Sequence, residues 1–311
     1  MTTRFPGRTV RAFLIYNLEA RRGSAARLRR ILRFLLDEGI SARPCAIQDL
    51  RQGAGPVARE DLVVVYGGDG TVHHLLPRLL QWRRPVAVLP GGTANCLAAE
   101  LGVPSREREA VRAIHKADVV RAVVPRGDRR RFILMAGCGV DAWLLGRIGS
   151  GVKKWLGVAG FWLVGAFHFL RCPLHPWTVR ASGESWRGTL VVVANAQRYG
   201  RDLRIAPSAR LDEPLLDLCV FTAERRRRFP VYLWAVLRGR HRSLPDVVYR
   251  KAEAVELCAP AGGAVQMDGE LLDFVPRRIE VTDERIVFLG CDVPARAPRS
   301  PERRAYRGSR P

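Results

Sequence analysis

The sequence predicts an α/β protein of two domains, the first built on a mostly parallel sheet and the second mainly of β-strands. Three observations lead there. Up to about residue 125, short β-branched runs alternate with helical periods. Beyond that point the apolar runs become β-like and are separated by turn-rich segments. The length, 311 residues, is long for one hydrophobic core and comfortable for two. The expected divisions are 9–125, 126–292 and a basic tail, 293–311, whose Arg, Pro and Ser content predicts disorder.

The elements follow in order. Arg11 to Tyr16 reads as a buried strand. Ser24 to Leu36 reads as a helix, with Leu28, Ile31, Leu32, Leu35 and Leu36 on one face and arginines on the other. Ala42 to Ile47 is a candidate second strand interrupted by Pro44, and the stretch from Gly39 to Asp61 is short enough to predict a truncated helix. Leu62 to Tyr66 is a strand of β-branched residues. Val72 to Leu80 has helical period, although Pro77 inside it is expected only near a first turn. Val86 to Leu89 is a strand and Ala94 to Leu101 a helix. In the second half, Phe132–Met135, Thr189–Val193, Leu215–Phe221, Ala254–Leu257 and Arg285–Leu289 are β-like, while Trp143 to Leu170 and Phe229 to Leu237 are helical.

The formal net charge is +22 and nearly all of it is arginine. Genome composition is one source of such a bias; the other is an anionic partner, such as a membrane surface, a phosphorylated ligand or nucleic acid. No nucleic-acid-binding module is recognisable, so nucleic acid is not expected as the partner. Seven scattered cysteines without a Cys-x-x-Cys pair predict neither a disulfide framework nor a zinc site, and fit a reducing cytosol. No signal peptide is expected from the five-residue apolar run Ala12–Tyr16, and the longest apolar stretch, Trp155 to Leu170, is short of the roughly 20 residues of a spanning helix.

Two segments carry chemistry. Leu62–Tyr66 leads into Gly67-Gly68-Asp69-Gly70-Thr71 and then a helix. Glycines let backbone amides approach a phosphate closely, and a helix N-terminus adds partial positive charge. Thr71 is the expected N-cap, and Asp69 supplies a carboxylate for Mg²⁺ or a proton. The alternative is a hairpin turn, which the helical period after Thr71 opposes. Pro85–Leu89 followed by Pro90-Gly91-Gly92-Thr93-Ala94-Asn95 repeats the design, with a helix beginning at Thr93. Two such loops at neighbouring strand ends would form one phosphate-binding crevice. There is no P-loop motif. His73 and His74 read either as phosphate contacts or as a partly exposed pair.

The strand–GGDGT–helix unit followed by PGGTAN resembles the catalytic-domain family of diacylglycerol kinases, which includes sphingosine kinases and small bacterial lipid kinases. Asn17 after the first strand, Ala136–Ala142, Ala194-Asn195, Tyr199-Gly200, Ala206-Pro207, Leu215–Asp217 and the closing Asp268-Gly269-Glu270 extend the resemblance over residues 10 to 290, in family order. It implies an NAD-kinase-like α/β domain, a C-terminal β-sandwich and a nucleotide cleft between them, with ATP and Mg²⁺. It places nucleotide contacts at Asn17, Gly67, Gly68, Asp69, Gly70, Thr71, Val72, His73, Gly92 and Thr93. Glu270 maps to the general base, with Asp268 in support and Asp69 in the catalytic set. A second, structural metal maps to the backbone of Arg210, the carboxylate of Glu213 and the backbone of Leu215. Asp141 maps to the lipid headgroup.

The chain departs from the family pattern at several places: Leu18 follows Asn17 where proline is usual, His73-His74 replace Asn-Glu, Cys96 replaces Asp, and Glu213-Pro214 replace Asp-Gly. The expected activity is phosphorylation of a hydroxyl on diacylglycerol or a related lipid, by a cytoplasmic protein bound peripherally to an anionic membrane. The competing readings are a catalytically silent lipid- or nucleotide-binding homologue and an NAD kinase. The latter lacks its expected Thr-Gly-Ser-Thr-Ala-Tyr segment here.

Overall fold

The computed structural model describes residues 9–18, 24–52, 55, 59–147, 168–200 and 203–291. The first part of the chain runs β1 (Val10–Tyr16), α1 (Ala25–Asp37), β2 (Ile40–Ala46), β3 (Leu62–Gly67), α2 (Asp69–Trp82), β4 (Val86–Pro90), α3 (Cys96–Glu100), α4 (Glu107–Ala113) and β5 (Asp118–Val123). The second part opens with β6 (Arg126–Gly127), β7 (Arg130–Arg131), β8 (Met135–Gly139) and α5 (residues 140–147). It continues with β9 (Trp177–Ala181), β10 (Glu184–Gly188), β11 (Leu190–Ala194), β12 (Arg198–Tyr199), β13 (Leu203–Arg204), β14 (Leu216–Phe221) and α6 (Phe229–Leu237). It closes with β15 (Val247–Ala252), β16 (Ala254–Cys258), β17 (Val265–Met267), β18 (Glu270–Leu271), β19 (Arg278–Glu280) and β20 (Arg285–Gly290).

The N-terminal sheet has the order β2-β1-β3-β4-β20-β5, parallel throughout except where β20 meets β5. The chain therefore returns from the second domain to complete the first: residues 285–290, expected in the β-rich half, join the first sheet. Strand β3 reads as unbroken apolar sequence because both its faces are covered. Val63 and Val65 face a core shared with α2, and Val64 and Tyr66 face α1 and α4. Helix α1 starts where the sequence places it, with Ser24 Oγ accepting the Arg27 amide at 3.2 Å. Pro44 sits in the edge strand β2, where a missing N–H costs no ladder bond on the solvent side. Among the described residues, a 3₁₀ turn, Asp49–Gln52, occupies the place of the truncated helix.

Two further six-stranded sheets, β10-β9-β16-β19-β6-β7 and β15-β14-β11-β8-β17-β18, stack as the sandwich. Trp177, Val179, Val255 and Leu257 from one meet Val191, Val193, Leu218 and Val220 from the other in a single core. The alternate residues of β11 and β14, Val192, Cys219 and Phe221, face the other way and pack into the core that α2 and β3 also line. One apolar cluster thus runs through both domains and fixes the orientation of the cleft.

Four local expectations are corrected. Helix α2 begins at Asp69 with Gly68 as its N-cap, so Thr71 lies in the first turn rather than capping it. Pro77 sits in the third turn, and the helix passes through it because Leu75, Leu76 and Leu79 are buried around it. Helix α3 starts at Cys96, later than expected, because Asn95 takes a left-handed conformation, φ 52°. Strand β8 begins at Met135: the preceding amides are taken by a side chain rather than by a neighbouring strand. The helix expected over Trp143 to Leu170 is seen up to residue 147 and at 168–169; the rest lies outside the described residues, as does the tail 293–311.

Candidate active site

The two glycine loops lie at the carboxyl ends of β3 and β4, the usual place for a ligand in an open α/β sheet. They touch backbone to backbone. The Gly91 amide donates to the Gly67 carbonyl at 2.8 Å, and a methyl group on Gly92 would come within 2.5 Å of Gly68 Cα. No side chain fits between them, which is why both loops need glycine. Thr71 packs over Gly67, where a methyl group would meet Thr71 Oγ1 at 2.6 Å. Asn17, at the end of β1, donates to Thr71 Oγ1 at 3.4 Å.

Asp69 ties the loops together. Its two oxygens accept the amides of Cys96 and Leu97, each at 2.9 Å, and so cap α3 from the neighbouring loop. Burial raises its pKa; the two amides act against that, and Asp268 adds to the rise. Asn95 folds back on its own loop, accepting from the Gly92 amide at 2.7 Å and donating to the Gly92 carbonyl at 3.0 Å. Thr93 is half-buried at the rim, whereas the Val72 side chain is in the core and offers only backbone.

The Asp268-Gly269-Glu270 segment is a hairpin between β17 and β18. Asp268 and Gly269 have φ of 52° and 87°, as a tight two-residue turn requires. The Asp-Gly signal is therefore a turn, with Asp268 buried and Gly269 exposed. Asp268 Oδ1 accepts the Leu134 and Met135 amides at 2.8 and 3.1 Å; Oδ2 accepts the Ile133 amide at 2.8 Å and faces His73 Nδ1 at 3.0 Å. Four donors fill the four acceptor positions of this carboxylate. Glu270 is placed differently. A methyl group on Gly70 would lie 3.2 Å from its Oε1, so this carboxylate faces the phosphate loop from the opposite domain.

His73 and His74 form a partly exposed pair, edge to face with ring centroids 5.9 Å apart. His74 is exposed, but His73 is buried and its bond to Asp268 joins α2 to the hairpin across the domains. Asp141, in the first turn of α5, is 8% exposed. It accepts from the Tyr199 hydroxyl in a short bond and from Gln266 Nε2 at 2.8 Å, and Gln266 Oε1 accepts the Gly269 amide at 2.7 Å. Burial first, and then the Asp141 carboxylate, raise the Tyr199 pKa, so the phenol stays a donor. Sequence reasoning missed His73 as a clasp, and missed Tyr199 and Gln266 as the partners of Asp141. Each pairing spans at least 58 residues, and no local spacing signals it.

The loop mapped to a structural metal does not fit one. Glu213 Oε2 lies 2.7 Å from Lys251 Nζ, which also donates to the buried Asp217 at 2.9 Å and to the Ser208 carbonyl at 3.1 Å. The Arg210 side chain turns to Asp212. An ammonium group already bonds the one carboxylate of the mapped set, Glu213, and a divalent ion beside it would meet its repulsion. Among the described residues no group of three or more His, Cys, Asp or Glu converges as a metal site.

Paired glycine loops at strand ends, facing a carboxylate from a second domain, define a phosphotransferase. Residues 11–125 match the diacylglycerol kinase catalytic domain, and residues 160–289 match the YegS C-terminal NAD kinase beta sandwich-like domain. The chain belongs to the diacylglycerol kinase catalytic-domain family and is an enzyme of its class, acting on a lipid hydroxyl. It is 27% identical over 243 residues to a "Probable lipid kinase YegS-like" of Klebsiella pneumoniae (strain 342), covering 76% of this chain and 80% of that one. It is 26% identical over 226 residues to a diacylglycerol kinase of Bacillus subtilis (strain 168), covering 70% and 73%. A solved diacylglycerol kinase from Bacillus anthracis str. Sterne shares the fold, with a TM-score of 0.68 at 22% identity over 91% of this chain and 97% of that one.

Proposed function

We propose that the protein transfers the γ-phosphoryl group of ATP, with Mg²⁺, to a hydroxyl of diacylglycerol or a related lipid, and that Glu270 is the general base. The observation that carries this reading is the approach of Glu270 Oε1 to Gly70 across the cleft. Phosphoryl transfer asks for positioning and charge neutralisation more than covalent chemistry. The glycine loops suit a triphosphate, because a Cβ at Gly67, Gly68, Gly91 or Gly92 would intrude and the N-terminus of α2 opens directly from the first loop. Mg²⁺ neutralises charge on the phosphate oxygens when bound. It would be held mainly by those oxygens, with Asp69 as the loop's carboxylate. Glu270 takes the proton of the lipid hydroxyl as its oxygen bonds to the γ-phosphorus, and the bond from that phosphorus to the β-phosphate oxygen breaks, releasing ADP. Asp268 supports this by position alone: it fixes the hairpin that presents Glu270. Asp141, through Gln266 and Gly269, braces the same hairpin from the side assigned to the lipid headgroup.

No helix among the described residues is long and apolar enough to cross a membrane, so the lipid is met at a surface, and the net charge of +22 suits an anionic one. The test is incubation with γ-labelled ATP, Mg²⁺ and a total lipid extract. A labelled lipid is the expected product; ATP bound without any labelled lipid would favour the silent homologue.

A further inference from the structure

Helix α6 is apolar on the wrong side as well as the right one. Tyr232, Ala235 and Val236 are buried against the sandwich, as a docked helix requires. At 100° per residue the opposite face carries Pro230, Val231, Leu233, Trp234 and Leu237, all exposed, with Trp234 at 53% and Leu237 at 62%. A helix that is hydrophobic all round belongs in a buried place, yet this one is half out. Leu170 extends the patch: it is 67% exposed, and its neighbour Phe169 packs on Phe229 with the rings tilted and their centroids 4.6 Å apart.

Cations frame this face at both ends. Arg225, Arg226 and Arg227 precede the helix and Arg238, Arg240 and Arg242 follow it, all exposed. Among the described residues Arg225, Arg227, Arg238 and Arg240 form no ion pair. Arg238 lies over the Trp234 ring at 5.1 Å. The helix is also held at a fixed angle. Arg228 Nε donates to Asp246 at 2.7 Å, and the Tyr232 hydroxyl donates to the same carboxylate at 2.8 Å.

The geometry points to α6 as the element that docks this protein on an anionic lipid bilayer. Apolar side chains with a tryptophan, edged by arginines whose stems reach back to the headgroups, are what an interfacial helix presents to a membrane. A second copy of the chain is the poorer occupant, since a two-fold contact through this face would set arginine cluster against arginine cluster. The position suits the proposed function, on which this inference rests. Helix α6 packs on β13, which pairs with β12, and β12 carries Tyr199, the partner of Asp141. The docked face is one hairpin away from the carboxylate assigned to the lipid headgroup.

The test uses the full chain with vesicles of phosphatidylcholine alone or mixed with phosphatidylglycerol, read by co-sedimentation. The wild type binds the mixed vesicles. Trp234→Gln with Leu237→Gln, both at exposed positions, lowers that binding by about tenfold or more. Arg225→Gln, Arg227→Gln and Arg240→Gln together lower it about a hundredfold, since each cation near the surface is worth about fivefold, and leave binding to phosphatidylcholine unchanged. Phosphorylation of a short-chain lipid acceptor dissolved in water stays at the wild-type rate in both variants. The docking proposal is overturned if either variant binds the mixed vesicles as the wild type does. It is also overturned if sedimentation velocity shows a wild-type dimer that the Trp234 and Leu237 changes split while vesicle binding persists. A wild type that docks on vesicles but labels no lipid leaves docking in place and removes the kinase reading instead.

Discussion

The hairpin at residues 268–270 and the loop at residues 210–217 are both rich in acids, and both map to ligand chemistry in the family. They have come to opposite ends. In the loop the acids are answered from within: Lys251 meets Glu213 and Asp217, and Arg210 meets Asp212. In the hairpin, Asp268 is likewise answered, by three amides and a histidine, but Glu270 is left facing the phosphate loop. An acid is available for chemistry where the fold has not already supplied its donors. Residue type does not separate the two cases; partners do.

The largest effect expected from this contrast is at Glu270. Glu270→Gln keeps size and some hydrogen bonding but cannot accept the proton, so kcat should fall about 10²–10⁴-fold while ATP binding and the melting temperature hold. Near-normal turnover on the labelled lipid would remove Glu270 as the base. If Asp268→Asn alone abolished turnover in a protein of unchanged stability, the base would be Asp268, and the comparison would be broken at its centre.

The expected result for Asp268→Asn is a loss of stability instead. The amide's NH₂ would confront backbone N–H groups, leaving buried donors unsatisfied at a cost of about 2–4 kcal/mol, to be read from denaturant unfolding. Lys251→Met should cost less, about 1–2 kcal/mol, because Lys251 is partly exposed and solvent screens it. What it strands is Asp217, whose pKa burial raises and Lys251, with Tyr249, holds down. The same contrast predicts that chelators leave the wild-type melting temperature unchanged. A drop on adding EDTA that Mg²⁺ restores would show a resident metal in the loop and overturn the assignment to Lys251.

The smallest effect is with acid. The hydrogen bond from Arg228 lowers the Asp246 pKa below its ordinary 3.8. Its contribution to holding α6 is therefore fully present above pH 3.8, and is lost as pH falls through the lowered value. Trp234 emission should shift in that acid range, and Asp246→Asn should produce the shift at neutral pH. An identical acid response in the wild type and in Asp246→Asn would detach α6 from this ion pair.

The sequence by itself determined the alternation of strands and helices in the first half, the change to β-strands in the second, and the two glycine loops. Each rests on neighbours in the chain: a β-branched run, a helical period, a glycine where a backbone must approach. It also placed Asp69, Asp268, Glu270 and Asp141 as the acids to watch. Only the tertiary structure decided what each acid does. Asp69 reaches the amides of the next loop, Asp268 takes those of residues 133–135, Tyr199 and Gln266 hold Asp141, and Lys251 fills the loop mapped to a metal. The return of β20 to the first sheet is of the same kind. These are pairings between distant segments, set by which strand ends and turns the packed cores bring together. A carboxylate's role depends on the donors around it, and those donors come from elsewhere in the chain.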